Sequence, residues 1–370
     1  MRQAVLRRRD PAFDLLNDPR TVLSKAKTNT FSILSKSGSP KFTGIKAKYV
    51  PSKAAALGKD ATFTVLAPGQ SFKIVHELAG VYNFTSTGEG AYTFGAGNVF
   101  NYIDESGALK TIQASSNKQV HRSGPGQSFK IVHELAGVYN FTSTGEVWSG
   151  QRVQLIDESG ALKTIQASSN KHKFKIAGEL AARNSYTPNL SKRAVSFTGC
   201  NPTQQSQIAE AATASDNYAE ANAYLASISS GTARYTTWFG SFRASRYDTV
   251  VSHFNRIGTD ATATNYDCTA CRTEPGINFA TTFAYVDPSL PGKINLCGQF
   301  WSAPITGTDS RAGTIVHENS HFTVNGGTDD HAYGQNDSQA LAKSNPAQAV
   351  DNADNHEYFV ENNPALSNLD

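Results

Sequence analysis

The segment His317-Glu318-Asn319-Ser320-His321 constrains this 370-residue chain more than any other. It has the form H-E-x-x-H. Helical spacing puts residues four apart on one face, so both imidazoles can grip one metal ion. Glu318 projects beside them, where it can take a proton from a metal-activated water. Gly313-Thr314-Ile315-Val316 precedes the motif and Phe322-Thr323-Val324 follows it. Ile315, Val316 and Phe322 are the expected inward face, with Thr308 or Asp309 as the cap. Gly326-Gly327 is expected to stop the helix and let the chain reverse.

A hydrolytic zinc site takes three protein ligands and keeps one position for water, so a third ligand must lie beyond that turn. Three placements compete. A metzincin arrangement needs glycine and histidine where Val324 and Gly327 stand, and the only methionine is Met1, so no Met-turn exists. A glutamate on a later helix, Glu357 or Glu361, is the second placement. Asp330, on the segment that emerges from the glycine turn, is the third.

Gly327-Thr328-Asp329-Asp330-His331-Ala332-Tyr333-Gly334 is similar to the G-T-x-D-x-x-Y-G signature of the deuterolysin-like, or aspzincin, metalloendopeptidases. Arg234-Tyr235-Thr236-Thr237-Trp238-Phe239-Gly240, Gly307-Thr308-Asp309-Ser310 and Asn352-Ala353-Asp354-Asn355-His356-Glu357-Tyr358-Phe359 resemble the fungal peptidyl-Lys members. The resemblance covers about residues 196–370 as the enzyme, and much of the upstream part is similar to the family's propeptide. It implies an α+β zincin-type catalytic domain with one Zn2+ held by His317, His321 and Asp330. Glu318 would act as general base and later return the proton to the leaving amine. Tyr333 would hydrogen-bond the developing oxyanion. Asp329 and His331 fall at variable positions of the signature and receive no role. In the Lys-specific relatives, acidic residues near the C-terminus line the pocket for the residue after the cleaved bond, and Asp354 and Glu357 occupy the matching positions. A recessed carboxylate pair selects an ammonium because desolvating lysine requires a compensating charge. On an exposed helix the same two residues would be solvated charges.

Charge and lysine are divided unevenly. Residues 1–193 hold 26 basic against 13 acidic side chains, whereas residues 194–370 hold 8 against 18, so the overall +3 conceals a basic half joined to an acidic one. Nucleic-acid binding is one reading of the basic half, but its lysines are scattered and no nucleic-acid motif accompanies them, so no nucleic-acid partner is expected. A basic propeptide docked on an acidic enzyme, by an attraction that salt weakens, explains the asymmetry better. Only Lys293 and Lys343 of the 19 lysines lie beyond residue 193, consistent with a protease that avoids cutting itself. Lys192-Arg193, in a polar stretch just before the first family-like residues, is the expected processing pair. Cleavage there leaves 177 residues, an ordinary size for one domain.

Cys200, Cys268, Cys271 and Cys297 all lie in the mature part; an even count suggests two disulfides, and sequence alone allows three pairings. The resemblance favours Cys200 with Cys268 and Cys271 with Cys297. Within residues 194–370 the periodicity predicts helices over 204–228, 247–257, 337–343 and 346–359, and short strands over 283–286 and 294–300. An edge strand beside the zinc helix is where an extended peptide could dock. His253 reads as a packed or solvent-facing helix residue.

The upstream region, about 13–183, is rich in Ser, Thr, Gly and Lys, with short alternations such as Phe63-Thr64-Val65-Leu66 and Phe72-Lys73-Ile74-Val75. It is expected to be all-β, an Ig-like sandwich. Residues 68–89 recur unchanged as 125–146, and 103–118 as 156–171, so the internal duplication spans 68–118 and 125–171. A spare copy has no place in a single sandwich and is expected to fit poorly or to pair as an extra strand layer. Val75-His76-Glu77-Leu78 and Val132-His133-Glu134-Leu135 begin like a zinc motif, but Gly80 and Gly137 stand where the second histidine would be. Asn83, Asn140, Asn189 and Asn336 head glycosylation patterns that matter only after export. Met1–Arg9 is basic but no apolar stretch follows, and the start departs from the family, implying a truncated N-terminus. No apolar run is long enough to span a bilayer. Export to the extracellular space is therefore expected from the cysteines, the dibasic pair and the resemblance.

These readings converge on a secreted, monomeric zinc endopeptidase made as a zymogen. It would cut on the N-terminal side of lysine in protein or peptide substrates, with its own propeptide as a partner before maturation. A deuterolysin-like protease of broader preference is the rival within enzymes. A secreted binding protein with a vestigial zinc site is the rival from another class.

Overall fold

The computed structural model describes residues 13–58, 63–66, 72–88, 90–104, 106–113, 119–122, 130–135, 153–156, 162–165, 194–218 and 220–366. Two compact units emerge, the first drawn from residues 1–25, 30–41 and 62–180, the second from 26–29, 42–61 and 181–370. The division expected at Arg193 thus differs from the structural one. Residues 26–29 and 42–61 belong with the C-terminal unit because part of that stretch is hydrogen-bonded into its sheet. Lys192 and Arg193 lie outside the described residues.

In chain order the strands before residue 194 are β1 (Phe13–Leu16), β2 (Phe31–Ser35), β3 (Lys41–Phe42), β4 (Lys46–Tyr49), β5 (Phe63–Leu66), β6 (Phe72–Glu77), β7 (Tyr82–Asn83), β8 (Ala91–Ala96), β9 (Val99–Ile103), β10 (Leu109–Gln113), β11 (Gln119–Arg122), β12 (Lys130–Leu135), β13 (Val153–Ile156) and β14 (Leu162–Ile165), with helix α1 (Pro51–Ala56) after β4. The first unit is antiparallel, with sheets in the orders β10-β9-β1-β5 and β11-β8-β2. Strand β2 shows the alternation of a half-buried strand, with Phe31 and Ile33 inward and Leu34 exposed. The duplicated segments pair with each other: β6 lies antiparallel to β12 from Phe72↔Leu135 to Glu77↔Lys130 within a sheet β14-β13-β12-β6. The spare copy therefore adds strands, one of the two outcomes expected of it.

The second unit continues with β15 (Ser196–Thr198), α2 (Pro202–Asn217), α3 (Glu220–Ser227), α4 (Ala233–Phe239), α5 (Ala244–Ile257), β16 (Asn265–Asp267), β17 (Thr282–Val286), β18 (Lys293–Leu296), α6 (Gly298–Ser302), α7 (Arg311–His321), α8 (Gln335–Ser344), α9 (Pro346–Val350) and α10 (Ala353–Glu361). Its sheet has the order β15-β16-β18-β17-β4. The β15–β16 and β16–β18 pairs are parallel, while β17 is antiparallel to both β18 and β4. Strand β4 forms the edge next to β17, in the register Val286↔Lys46, Tyr285↔Ala47 and Ala284↔Lys48.

Helix α7 is buried along its whole length. Ile315 and Phe322 join the core of Ile208, Tyr266, Leu296 and Phe300, while Val316 joins Trp238, Phe254, Tyr358 and Phe359. The cap is Ser310, whose hydroxyl accepts from the Gly313 N–H at 2.9 Å, not Thr308 or Asp309. Three predicted elements divide: 204–228 into α2 and α3, 346–359 into α9 and α10, and 294–300 into β18 and α6. At the α9–α10 break Asn352 is placed to bind the loop that carries Asp330.

Both disulfides implied by the resemblance are present, Cys200–Cys268 and Cys271–Cys297. They close segments with sequence separations of 68 and 26, and loop entropy assigns roughly 3 to 4 kcal/mol to each.

Candidate active site

The H-E-x-x-H helix and the Thr328–Tyr333 segment meet at one point. His317 Nε2 and His321 Nε2 are 3.1 Å apart. Asp330 Oδ1 lies 3.3 Å from the first and 3.4 Å from the second. The other ring nitrogens are committed elsewhere. His321 Nδ1 is 2.9 Å from the Thr328 carbonyl, and His317 Nδ1 is 2.8 Å from Asp354 Oδ1. His321 Nδ1–H thus donates to oxygen and His317 Nδ1 faces the Asp354 carboxylate, which turns both Nε2 atoms toward one place together with a carboxylate oxygen. Three electron-pair donors so close repel unless a cation lies among them. Ligands at tetrahedral zinc, at about 2.0–2.1 Å from the metal, would be about 3.3 Å apart. The cluster fits that ion.

Glu318 is fully buried beside the cluster. Burial pushes its carboxyl up to about 8; His317 works against this and Asp330 adds to it. Its Oε1 accepts the Lys48 N–H at 3.3 Å, and its Oε2 has no hydrogen-bond partner among the described residues. Burial alone would depress the His317 imidazole, but in the metal-free site Asp330, Asp354 and Glu357 hold it well above the usual histidine range, a proton then taking the cation's place. Burial likewise opposes ionisation of Asp330, and His321 with His317 overcomes it, holding this carboxyl well below the ordinary range.

Tyr333 is buried opposite, its hydroxyl donating to the Ala47 carbonyl at 2.6 Å. The loop that sets Asp330 and Tyr333 is fixed by Asn352, whose Oδ1 accepts from the His331 and Ala332 N–H groups at 2.8 and 3.0 Å while its amide donates to the Ala332 carbonyl. Asn355 receives Asn352's other proton and itself donates to the Trp238 and Ser338 carbonyls. Sequence reading quoted both asparagines and gave them no role. The signal for Asn352 was its place at the α9–α10 break, whereas Asn355 stands inside α10 and carried none.

Asp354 and Glu357 are both completely buried, which removes the solvated alternative, and they separate in what they touch. Asp354 is spent on His317 and, through Oδ2, on the Gly334 N–H at 2.6 Å. Glu357 Oε2 receives the Lys48 ammonium, whose Nζ lies 5.1 Å from the Phe283 ring centre and 5.6 Å from that of Tyr358. Burial opposes that charge, but Glu357, then Asp354, Asp309 and Glu361, hold the ammonium above the usual lysine range. Glu361, displaced from any ligand role, caps α7 by accepting from the Ser310 N–H and hydroxyl at 2.8 and 2.7 Å.

The remaining candidates lie outside this centre. Asp329 accepts from Asn29 Nδ2 at 2.7 Å, and His331 pairs with Asp351 at 2.9 Å. His253 is packed, 3.1 Å from His356 Nε2 with the two rings stacked.

Two imidazoles and an aspartate around one cation position, with a buried glutamate and a tyrosine hydroxyl at hand, make the centre of a metallopeptidase of the two-histidine, one-aspartate class. Residues 224–361 match the family described as lysine-specific metallo-endopeptidase, the M35 aspzincins. The chain is 42% identical over 361 residues to a peptidyl-Lys metalloendopeptidase of Grifola frondosa, covering 97% of this chain and 86% of that one. It is 39% identical over 362 residues to the enzyme of the same name from Armillaria mellea, covering 97% and 85%. A third relative, from Aeromonas hydrophila and named an extracellular protease, is 38% identical over 276 residues, covering 71% and 78%. The chain belongs to the aspzincin family of zinc metalloendopeptidases.

Proposed function

We propose that this enzyme is secreted, is made as a zymogen, and hydrolyses peptide bonds on the N-terminal side of lysine. His317, His321 and Asp330 would hold the metal, and zinc bound there supplies Lewis acidity toward the scissile carbonyl and lowers the pKa of the attacking water. Glu318, held in a dry site, accepts the proton of that water and delivers it to the leaving amine. Tyr333 donates a hydrogen bond to the carbonyl oxygen as negative charge grows there. Asp354 fixes the tautomer and orientation of His317.

The observation that carries the specificity is the buried Glu357 carboxylate, next to the metal cluster, receiving an ammonium beside the rings of Phe283 and Tyr358. A neutral side chain placed there would leave this carboxylate without its counter-charge, so the pocket discriminates through the cost of burying an unpaired ion. Secretion is supported by the two disulfides and by the relative named an extracellular protease. No helix among the described residues is long and apolar enough to cross a membrane. The antiparallel sheets of the first unit support its reading as an Ig-like propeptide domain.

Digestion of a denatured protein followed by sequencing of the new N-termini tests the reading. Lysine should begin nearly every fragment, and chelation or Glu318→Gln should stop the reaction. Fragments beginning with many residue types would instead mark a protease of broad preference.

A further inference from the structure

Residues 45–50 lie across the active centre as a peptide substrate would. Strand β4 extends the sheet antiparallel to β17, the backbone geometry by which an extended peptide adds to an open edge. Within it one peptide bond, Ala47–Lys48, meets the catalytic groups in turn. The Ala47 carbonyl accepts from the Tyr333 hydroxyl at 2.6 Å, and the Lys48 N–H, the nitrogen that would leave, donates to Glu318 Oε1 at 3.3 Å. Ala47 N–H donates to Asp330 Oδ2 at 3.3 Å. On the carboxyl side of that bond the Lys48 side chain, with no exposed surface, enters the recess of Glu357, Phe283 and Tyr358. Lys46, two residues earlier and on the same strand face, donates to the Gly327 and Thr328 carbonyls and so anchors the strand against the loop that carries Asp330.

We propose that β4 is a built-in substrate of this enzyme: it blocks the cleft with Lys48 in the lysine pocket, and Ala47–Lys48 is the bond the enzyme hydrolyses in its own chain to release that block. This rests on the reading that the enzyme cuts before lysine. Water supplies the co-reactant; its hydroxyl joins the Ala47 carbonyl carbon as the C–N bond breaks, and its proton passes to the Lys48 nitrogen. The products are a carboxyl terminus at Ala47 and an α-amine at Lys48. Once the bond is cut, the two halves of the strand no longer share one backbone, and each must hold its place by its own contacts. A lysine-selective pocket explains why the residue after the bond is lysine, and Ala47 leaves the tyrosine hydroxyl unobstructed at the carbonyl.

The test uses the full-length chain in three parts. In the Glu318→Gln chain, amine acetylation of Lys48 should be at least about tenfold slower than that of half-exposed Lys53, because reaction at Lys48 must await local opening. In the unaltered zinc-loaded chain, mass spectrometry should find the Ala47 and Lys48 termini appearing at a rate independent of protein concentration, as an intramolecular step requires. A denatured external protein digested by the same preparation reports separately on lysine preference. If Lys48 is acetylated as fast as Lys53, or stays protected while the bond remains intact in a preparation that cuts the external protein before lysine, this proposal is overturned and the function stands. If the external protein is not cut before lysine, the function itself fails.

Discussion

Glu357→Gln separates the role of the lysine pocket from that of the metal centre, because Glu357 Oε2 meets the Lys48 ammonium and is also 3.5 Å from His317 Nδ1. Removing one partner of a buried ion pair costs about 3–5 kcal/mol. Glutamine keeps a neutral acceptor worth about 1 kcal/mol, and the charges of Asp354, Asp309 and Glu361 still act on the ammonium. The net loss should be about 2–3 kcal/mol, or roughly 30- to 150-fold in kcat/KM for a peptide with lysine after the scissile bond. The assay compares two fluorogenic peptides that differ only there, lysine against methionine. The methionine peptide, a poor substrate from the outset, should change little or improve. An equal fall on both peptides would show Glu357 acting through His317, and a fall of less than about threefold on the lysine peptide would show that Glu357 does not read the residue after the scissile bond.

Tyr333→Phe should lower kcat by about a hundredfold with KM little altered, since a single oxyanion donor is lost; steady-state kinetics on one peptide decides it. Asp354→Asn should weaken zinc about 10- to 100-fold, measured by competition with a chromogenic chelator, because the partner of His317 Nδ1 is no longer a carboxylate. His356 gives a pH dependence. Burial, with His253 second, holds its imidazole down to about 3, so the unfolded chain takes up a proton that the folded one refuses. The stability it contributes is therefore complete above about pH 6.5 and is lost as pH falls from there toward 3, at about 1.4 kcal/mol per unit. Denaturant midpoints taken between pH 6.5 and 5 should fall less steeply in His356→Phe than in the unaltered enzyme, by about 2 kcal/mol over that interval, and identical slopes would refute it.

The metal helix was legible because its signal is local. Two histidines four apart, an apolar flank at Ile315 and Val316, and a glycine turn at 326–327 specify both the element and its chemistry. Asp330 and Tyr333 were legible only through the signature around them, since spacing alone left Glu357 and Glu361 in contention. The cap was misplaced by one or two residues because Thr308, Asp309 and Ser310 can all cap, and only tertiary contact with Glu361 selects Ser310. The predicted helices 204–228 and 346–359 each conceal a break that composition does not announce. Lys48 left no trace in the sequence. One of 17 scattered upstream lysines, it acquires meaning only from a pairing with β17 that spans more than 200 residues.

The sheet edge beside α7 also bears on which proteins such an enzyme can attack. On the proposed reading, backbone groups along β17 would take any chain that lies flat, as they take β4, and a single recess would then read one of its side chains. A lysine wound into a helix or buried in a hairpin of a native target cannot present that flat stretch. Native proteins should therefore resist at most of their lysines and yield at slack loops and frayed ends, with susceptibility following how often a span of four or so residues straightens rather than how many lysines the target carries.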